Sequence, residues 1–371
     1  MKTKNTNHKS LLGKLISFSF TSLRSVRAYA VQLLALSFFL FLSACRPEIQ
    51  LFADYKEIPV VYGFLDINAD TNFIKITRAF GSSNSDPIDP EEVALIYDSS
   101  NYPGKLNAYI EELKSFQGDS YQPTGRKIIL DTITIHNKEA GAFYSPHQRL
   151  YYTTEQFNTN EGDIKYRYKL NVIIPNGDTI TAETGVVSGD IGVSSMMVTF
   201  QSEPSSMMSG LMFTSSDEAT LYEIVMQFNY LESHPGQPLT PKEVSWSYGI
   251  KRITEYEKVA NTTNCYRLYY DVNTLFNTMS RAIGNDTVWD VNHPNVTRYM
   301  GDFVVYISAA GKDFGHYYNS TQPSISLAPD YTNVHGGYGL FSSRILVSTV
   351  VGLSSRTQYD LFCEPWGFQE Q

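Results

Sequence analysis

From residue 58 onward the chain is written in twos. Lys165-Tyr-Arg-Tyr-Lys-Leu-Asn-Val172 switches at every step, placing Tyr166, Tyr168, Leu170 and Val172 on one face of a half-buried strand. The same period runs through Ile74 and Ile76, through Ile224, Met226, Phe228 and Tyr230, and through Val244, Trp246, Tyr248 and Ile250. That last run predicts Trp246 in a core. Pro175-Asn-Gly-Asp178 has the residues of a tight turn and predicts a hairpin into Thr179-Ile-Thr-Ala182.

Helical spacing is rare. Asp89-Pro90-Glu91-Glu92 supplies an N-cap, a first-turn proline and two carboxylates matched to the helix dipole, and predicts a short helix to about Tyr97. Asp271 caps a longer one, with Val272, Leu275, Phe276, Met279 and Ile283 at helical spacing and Gly284 as its stop. Many short strands with few helices predict an all-β protein of two immunoglobulin-like or related β-sandwiches, the second with one inserted helix near 272–283. The expected boundaries are an N-terminal sandwich over 57–190, a Ser-, Met- and Gly-rich linker over 191–210, and a C-terminal sandwich over 211–371.

Composition changes the picture at the N-terminus. The chain has 29 Lys and Arg against 38 Asp and Glu, but residues 1–44 hold six of the bases and no acid, so the remainder carries 23 against 38, a formal charge of −15. Such an acidic body has no basic face for phosphates, and nucleic acid is excluded as a partner. The six bases flank an apolar run from Ala28 to Leu42, about 15 residues and too short to span a bilayer comfortably. Leu42-Ser43-Ala44-Cys45 follows it and resembles the bacterial lipobox. Residues 1–44 therefore read as a lipoprotein signal peptide, Cys45 as the lipid attachment site bearing palmitate-type acyl chains, and 45–56 as a tether. Several such chains hold a protein on a membrane almost permanently. Arg46 stands where an aspartate retains lipoproteins at the inner membrane of well-studied Gram-negative bacteria, so by that resemblance the outer membrane is the expected location, with the facing leaflet open. The other cysteines, Cys265 and Cys363, are either a disulfide or two small buried hydrophobes.

Four stretches resemble a family. Ile58-Pro-Val-Val-Tyr-Gly-Phe-Leu65 with Asn72-Phe-Ile-Lys-Ile-Thr-Arg-Ala-Phe80 looks like the opening of Bacteroidota outer-membrane lipoproteins that share a conserved domain of unknown function (DUF4249-like). Gly141-Ala-Phe-Tyr-Ser-Pro-His-Gln-Arg-Leu-Tyr-Tyr152 and Tyr331-Thr-Asn-Val-His-Gly-Gly-Tyr-Gly-Leu-Phe341 are similar to later landmarks of those proteins. The resemblance implies an immunoglobulin-like start and an outer-membrane setting, often beside TonB-dependent transporters, without an assigned activity.

Motifs for chemistry are weak. Asp66-Ile-Asn-Ala-Asp-Thr-Asn72 begins like a calcium loop, but Thr71 and Thr77 replace the required glycine and glutamate, and a hairpin turn is expected. Gly336-Gly-Tyr-Gly339 lacks the remainder of any phosphate-binding motif and predicts an ordered loop needing positive φ or close backbone approach. His136, His147, His234, His293, His316 and His335 are scattered singly, so no metal and no cofactor is expected. No nucleophile elbow occurs, and Glu111 and Glu112 point to opposite sides of a strand. Twenty-six tyrosines, 21 phenylalanines and three tryptophans, often adjacent as in Tyr151-Tyr152, Tyr269-Tyr270 and Tyr317-Tyr318, expose some rings whatever the function. Asp131-Thr132, Asp178-Thr179 and Asp286-Thr287 precede aliphatic residues and resemble Bacteroidota O-glycosylation sites, making Thr132, Thr179 and Thr287 candidates.

The expected function is non-enzymatic: a lipid-anchored binding or accessory component of an envelope complex, with a protein partner in the outer membrane and a glycan as a further possible ligand. The alternatives are a fimbrillin-like pilus or adhesion subunit, matured by cleavage at a basic residue such as Arg78 or Arg126, and a glycan-active enzyme. SDS-resistant ladders would mark the first and a hydrolysis screen the second.

Overall fold

A computed structural model describes residues 57–79, 90–116, 120–283, 289–290, 293–294, 296–322 and 331–369. The expected signal peptide and tether, with Cys45, and Thr287 lie outside the described residues.

The chain opens with a hairpin, β1 (Ile58–Leu65) and β2 (Asn72–Ala79). Two short helices, α1 (Pro90–Ala94) and α2 (Tyr97–Ser100), lead to β3 (Asn107–Ser115), β4 (Tyr121–Ile129), β5 (Asp131–Ile135), β6 (Gln148–Thr153), β7 (Tyr166–Ile173) and β8 (Thr179–Gly185). Then come β9 (Gly192–Val193), β10 (Met197–Val198), β11 (Met208–Thr214), β12 (Ala219–Ser233), β13 (Thr240–Arg252), β14 (Glu257–Lys258), β15 (Cys265–Asp271) and α3 (Thr274–Ile283). The remainder is β16 (Trp289–Asp290), β17 (His293–Pro294), β18 (Thr297–Gly311), α4 (Lys312–Ser320), β19 (Val334–His335), β20 (Tyr338–Leu353), α5 (Ser355–Cys363) and β21 (Phe368–Gln369). No helix among the described residues is long and apolar enough to cross a membrane.

The fold is all-β and sandwich-like. One long sheet runs β13-β12-β18-β20-β1-β2-β6-β5, a five-stranded sheet runs β19-β8-β7-β3-β4, and a four-stranded sheet runs β14-β15-β11-β9. Two cores follow. The first joins Val61, Leu65, Ile74 and Ile76 of the long sheet to Ile110, Tyr168, Leu170 and Val172 of the five-stranded one. The second joins Ile224, Met226, Phe228, Phe303 and Ile307 to Leu211, Phe213, Leu268 and Tyr270. Both follow the predicted alternation, and the 175–178 turn forms as expected, with Gly177 at φ 90° and Asn176 Oδ1 accepting from Asp178 N at 2.9 Å.

The two cores share β20. Its first part, from Tyr338 to Ser343, pairs parallel with β1. Its second, from Arg344 to Val351, pairs antiparallel with β18. Phe341 enters the first core, Ile345 and Val351 the second. The loop expected at 336–339 is a turn from β19 directly into β20, and its glycines make the parallel approach feasible. Gly339 has φ 113°, a β-carbon there would overlap the Val61 carbonyl, and one on Gly337 would lie 2.6 Å from Pro59 O. Asn333 imitates a strand beside it, accepting from Phe341 N at 3.0 Å and donating to Phe341 O at 2.6 Å.

Other expectations shift. Residues 191–210 carry β9 and β10 and place Ile191, Val198 and Phe200 in the second core, because β10 pairs with the end of β20 and Thr357 Oγ1 bonds both Phe200 N and Phe200 O. The inserted helix is α3, which buries Leu275, Phe276, Met279 and Ile283, but α4 and α5 accompany it. Trp246 is half-buried, packing its ring against Phe200 at 5.7 Å and Phe303 at 5.9 Å. Ile250 breaks the pattern. Gly249 at φ 75° sits in a bulge of β13, and the register shift opposite Glu223 and Val225 turns Ile250 to the outer face.

Candidate functional site: a trough on the shared sheet

The outer face of the long sheet carries a row that four strands build together. Ile250 of β13 lies opposite Glu223 of β12, Glu223 opposite Ser308 of β18, and Ser308 opposite Leu346 of β20. The next row is Leu221, Ala310 and Arg344. At one end α4 stands over the sheet, with Phe314 edge-on to Phe64 of β1 at 5.5 Å. These walls enclose about 470 Å³. Ile250 and Leu346 are 45% and 53% exposed, too much for side chains of their size to be part of a core.

The polar groups sit at the rim. Asp66, which follows β1, is buried and lies 3.7 Å from Arg344 Nε, while the Arg344 side chain is 66% exposed. The turn reading of 66–72 holds locally: Asp66 Oδ1 accepts from Asn68 N at 3.0 Å, and Asn72 exchanges two bonds with the Asp66 backbone. Asn68 Nδ2 reaches Leu346 O at 3.3 Å, tying the turn to the trough. Glu223 Oε1 accepts from Ser247 Oγ at 2.7 Å. A largely apolar lining with one ion pair, the Glu223 carboxylate and a few hydroxyls suits non-covalent binding. Sequence reading missed Ile250, Leu346 and Arg344; the bulge glycine, Gly249, was the one signal that could have found Ile250.

Elsewhere the ionic groups bond one another. Glu112 is buried and takes bonds from Thr124, Arg126, Asn158 and Tyr168, whose hydroxyl pKa is driven far up by burial and by that carboxylate. Arg298 is buried against Glu232 at 2.7 Å and the Trp366 carbonyl at 2.7 Å. Arg78 bonds Glu57 from within β2, and Arg126 bonds Glu112 and Glu155 from within β4. Among the described residues no group of three or more His, Cys, Asp or Glu is placed to hold a metal.

The remaining candidates are dispersed. Thr132 is half-buried on β5, beside an Asp131 whose pKa is lowered by Lys105 at 2.7 Å, and Thr179 is exposed at the start of β8. Cys265 opens β15 and is half-buried, and Cys363 ends α5 and is exposed; both are free thiols, so the structure has neither a disulfide nor two buried hydrophobes. Tyr151 and Tyr270 are buried, while Tyr152 is half-buried and Tyr269 exposed, as strand alternation requires, whereas Tyr317 and Tyr318 lie on α4. Two histidines are not isolated: the rings of His136 and His147 are 4.3 Å apart. No protein-family model matches the chain, and no curated protein matches it.

Proposed function

We propose that the chain is a lipid-anchored outer-membrane protein that binds, as a binding or accessory component of an envelope complex, using the trough as its contact surface. The observation that carries this reading is the row Ile250, Glu223, Ser308 and Leu346, in which two large apolar side chains stand half in water on a rigid sheet. Exposed apolar area with a polar rim marks interaction surfaces. The anchor rests on the apolar run ending at Leu42-Ser43-Ala44-Cys45, and a TonB-dependent transporter as partner rests on the family resemblance alone.

Site-specific photo-cross-linking in cells tests the contact. A cross-linker at position 250 or 346 should give one discrete adduct, and one at Ile129, an exposed apolar residue of the opposite sheet, none. Equal adducts at all three positions, or none at 250 and 346, would reject the trough. Replacing Cys45 with serine should release the protein from the outer membrane or leave it as precursor, and unchanged acylation and fractionation would reject the anchor.

A further inference from the structure

We propose that His136 and His147 form a two-imidazole site for a divalent transition-metal ion of the copper, nickel and zinc group. β5 and β6 pair antiparallel from Asp131 opposite Tyr152 to Ile135 opposite Gln148, and the next step of that register sets His136 opposite His147. A backbone bond from Lys138 N to Pro146 O, 3.2 Å, continues the hairpin past them. Residues directly opposite share a face, with β-carbons about 4.5 to 5.5 Å apart. The imidazoles accordingly meet, with ring centroids 4.3 Å apart and planes at 77°. Imidazole nitrogens bind such ions at about 2.0 to 2.1 Å, which places the rings of neighbouring ligands about 5 Å apart, close to the separation of these two rings.

Tyr144 supplies the support a metal-binding histidine needs. Its hydroxyl lies 2.9 Å from His147 Nδ1, which leaves Nε2 as the free nitrogen. His136 is exposed, and among the described residues no hydrogen bond engages either of its ring nitrogens. The neighbouring cations are held by other groups. Lys138 Nζ donates to Tyr144 O at 2.6 Å and lies over the Phe143 ring, and Lys75 Nζ donates to Gln148 Oε1 at 3.2 Å. Two imidazole ligands, with water completing the shell, select borderline ions over magnesium or calcium, which prefer oxygen. The site is independent of the trough and of the anchor.

The test uses the untagged full chain with Cys45, Cys265 and Cys363 replaced by serine, so that no thiolate competes. Cu(II) is titrated and followed by calorimetry and electron paramagnetic resonance. One equivalent should bind with hyperfine splitting from two imidazole nitrogens. His136→Ala and His147→Ala should each weaken binding about 100-fold or more, and Tyr144→Phe about 10-fold with the two-nitrogen spectrum retained. Thermal melts of the metal-free variants check that the hairpin is intact. Unchanged stoichiometry and spectrum in the His136→Ala/His147→Ala double variant, or no copper signal from the parent chain, would overturn the proposal.

Discussion

The two halves of β20 obey different rules. From Gly339 to Ser343 the strand is enclosed, with β1 alongside and α4 over its outer face: Ser342 and Ser343 are fully buried, and Phe314 N donates to Ser342 Oγ at 3.1 Å. From Arg344 the outer face opens. Ile345 and Val351 still enter the second core, but Leu346 and Val350 stand more than half in water. In the enclosed half both faces are packed: Leu340 and Phe341 are buried beside Ser342 and Ser343, and only glycine fits at 339, against the Val61 carbonyl. In the open half only the inward positions are constrained, which leaves the outward ones free to serve binding.

Changes in the enclosed half should cost most. Gly339→Val meets both a positive φ and the Val61 carbonyl, so it should exceed about 4 kcal/mol, and soluble, protease-resistant yield should collapse. A yield equal to the parent would show that the loop yields, and would raise it as a binding site. Ser343→Leu overfills a closed space and strips Val187 N of its acceptor at 3.2 Å; about 2 to 4 kcal/mol should be lost in denaturant titration. Trp246→Ala tests the second core away from β20. Because the indole is half-buried, the loss should fall to about 2 kcal/mol, below the roughly 3 to 5 of a fully buried ring. Leu346→Asp, on the open face, should change stability by no more than about 0.5 kcal/mol while abolishing the cross-link at position 250. A large destabilisation there would mean that the trough floor is core.

Much of the fold could be read from the chain because its strands are written locally. β7 and β12 bury the residues that alternation selects, and the glycines of 336–339 announced a special backbone. What could not be read depends on distant partners. Nothing near Val60 names Tyr338 as its neighbour, and Ser342-Ser343 looks like surface until β1 and α4 close over it. Met- and Ser-rich residues 191–210 looked like a linker because composition does not disclose that β20 needs a further strand at its end. The trough was hidden for a related reason: its residues come from six elements, and one was placed by a bulge. His136 and His147 are 11 positions apart, a spacing without meaning until the β5–β6 register pairs them.

The parallel pairing of β1 with β20 also sets an order of events in time. β1 is made first and its neighbour nearly last, about 280 residues later, which at typical synthesis rates is on the order of tens of seconds. Pairings so remote in sequence form slowly, because the intervening chain must be closed before any contact rewards it. Until then one edge of β1 is open to any passing strand, a standing risk of misassembly. The N-terminal half of this protein is therefore finished by its C-terminal end, and a chain cut short before β20 would leave the first core open however complete its own strands were.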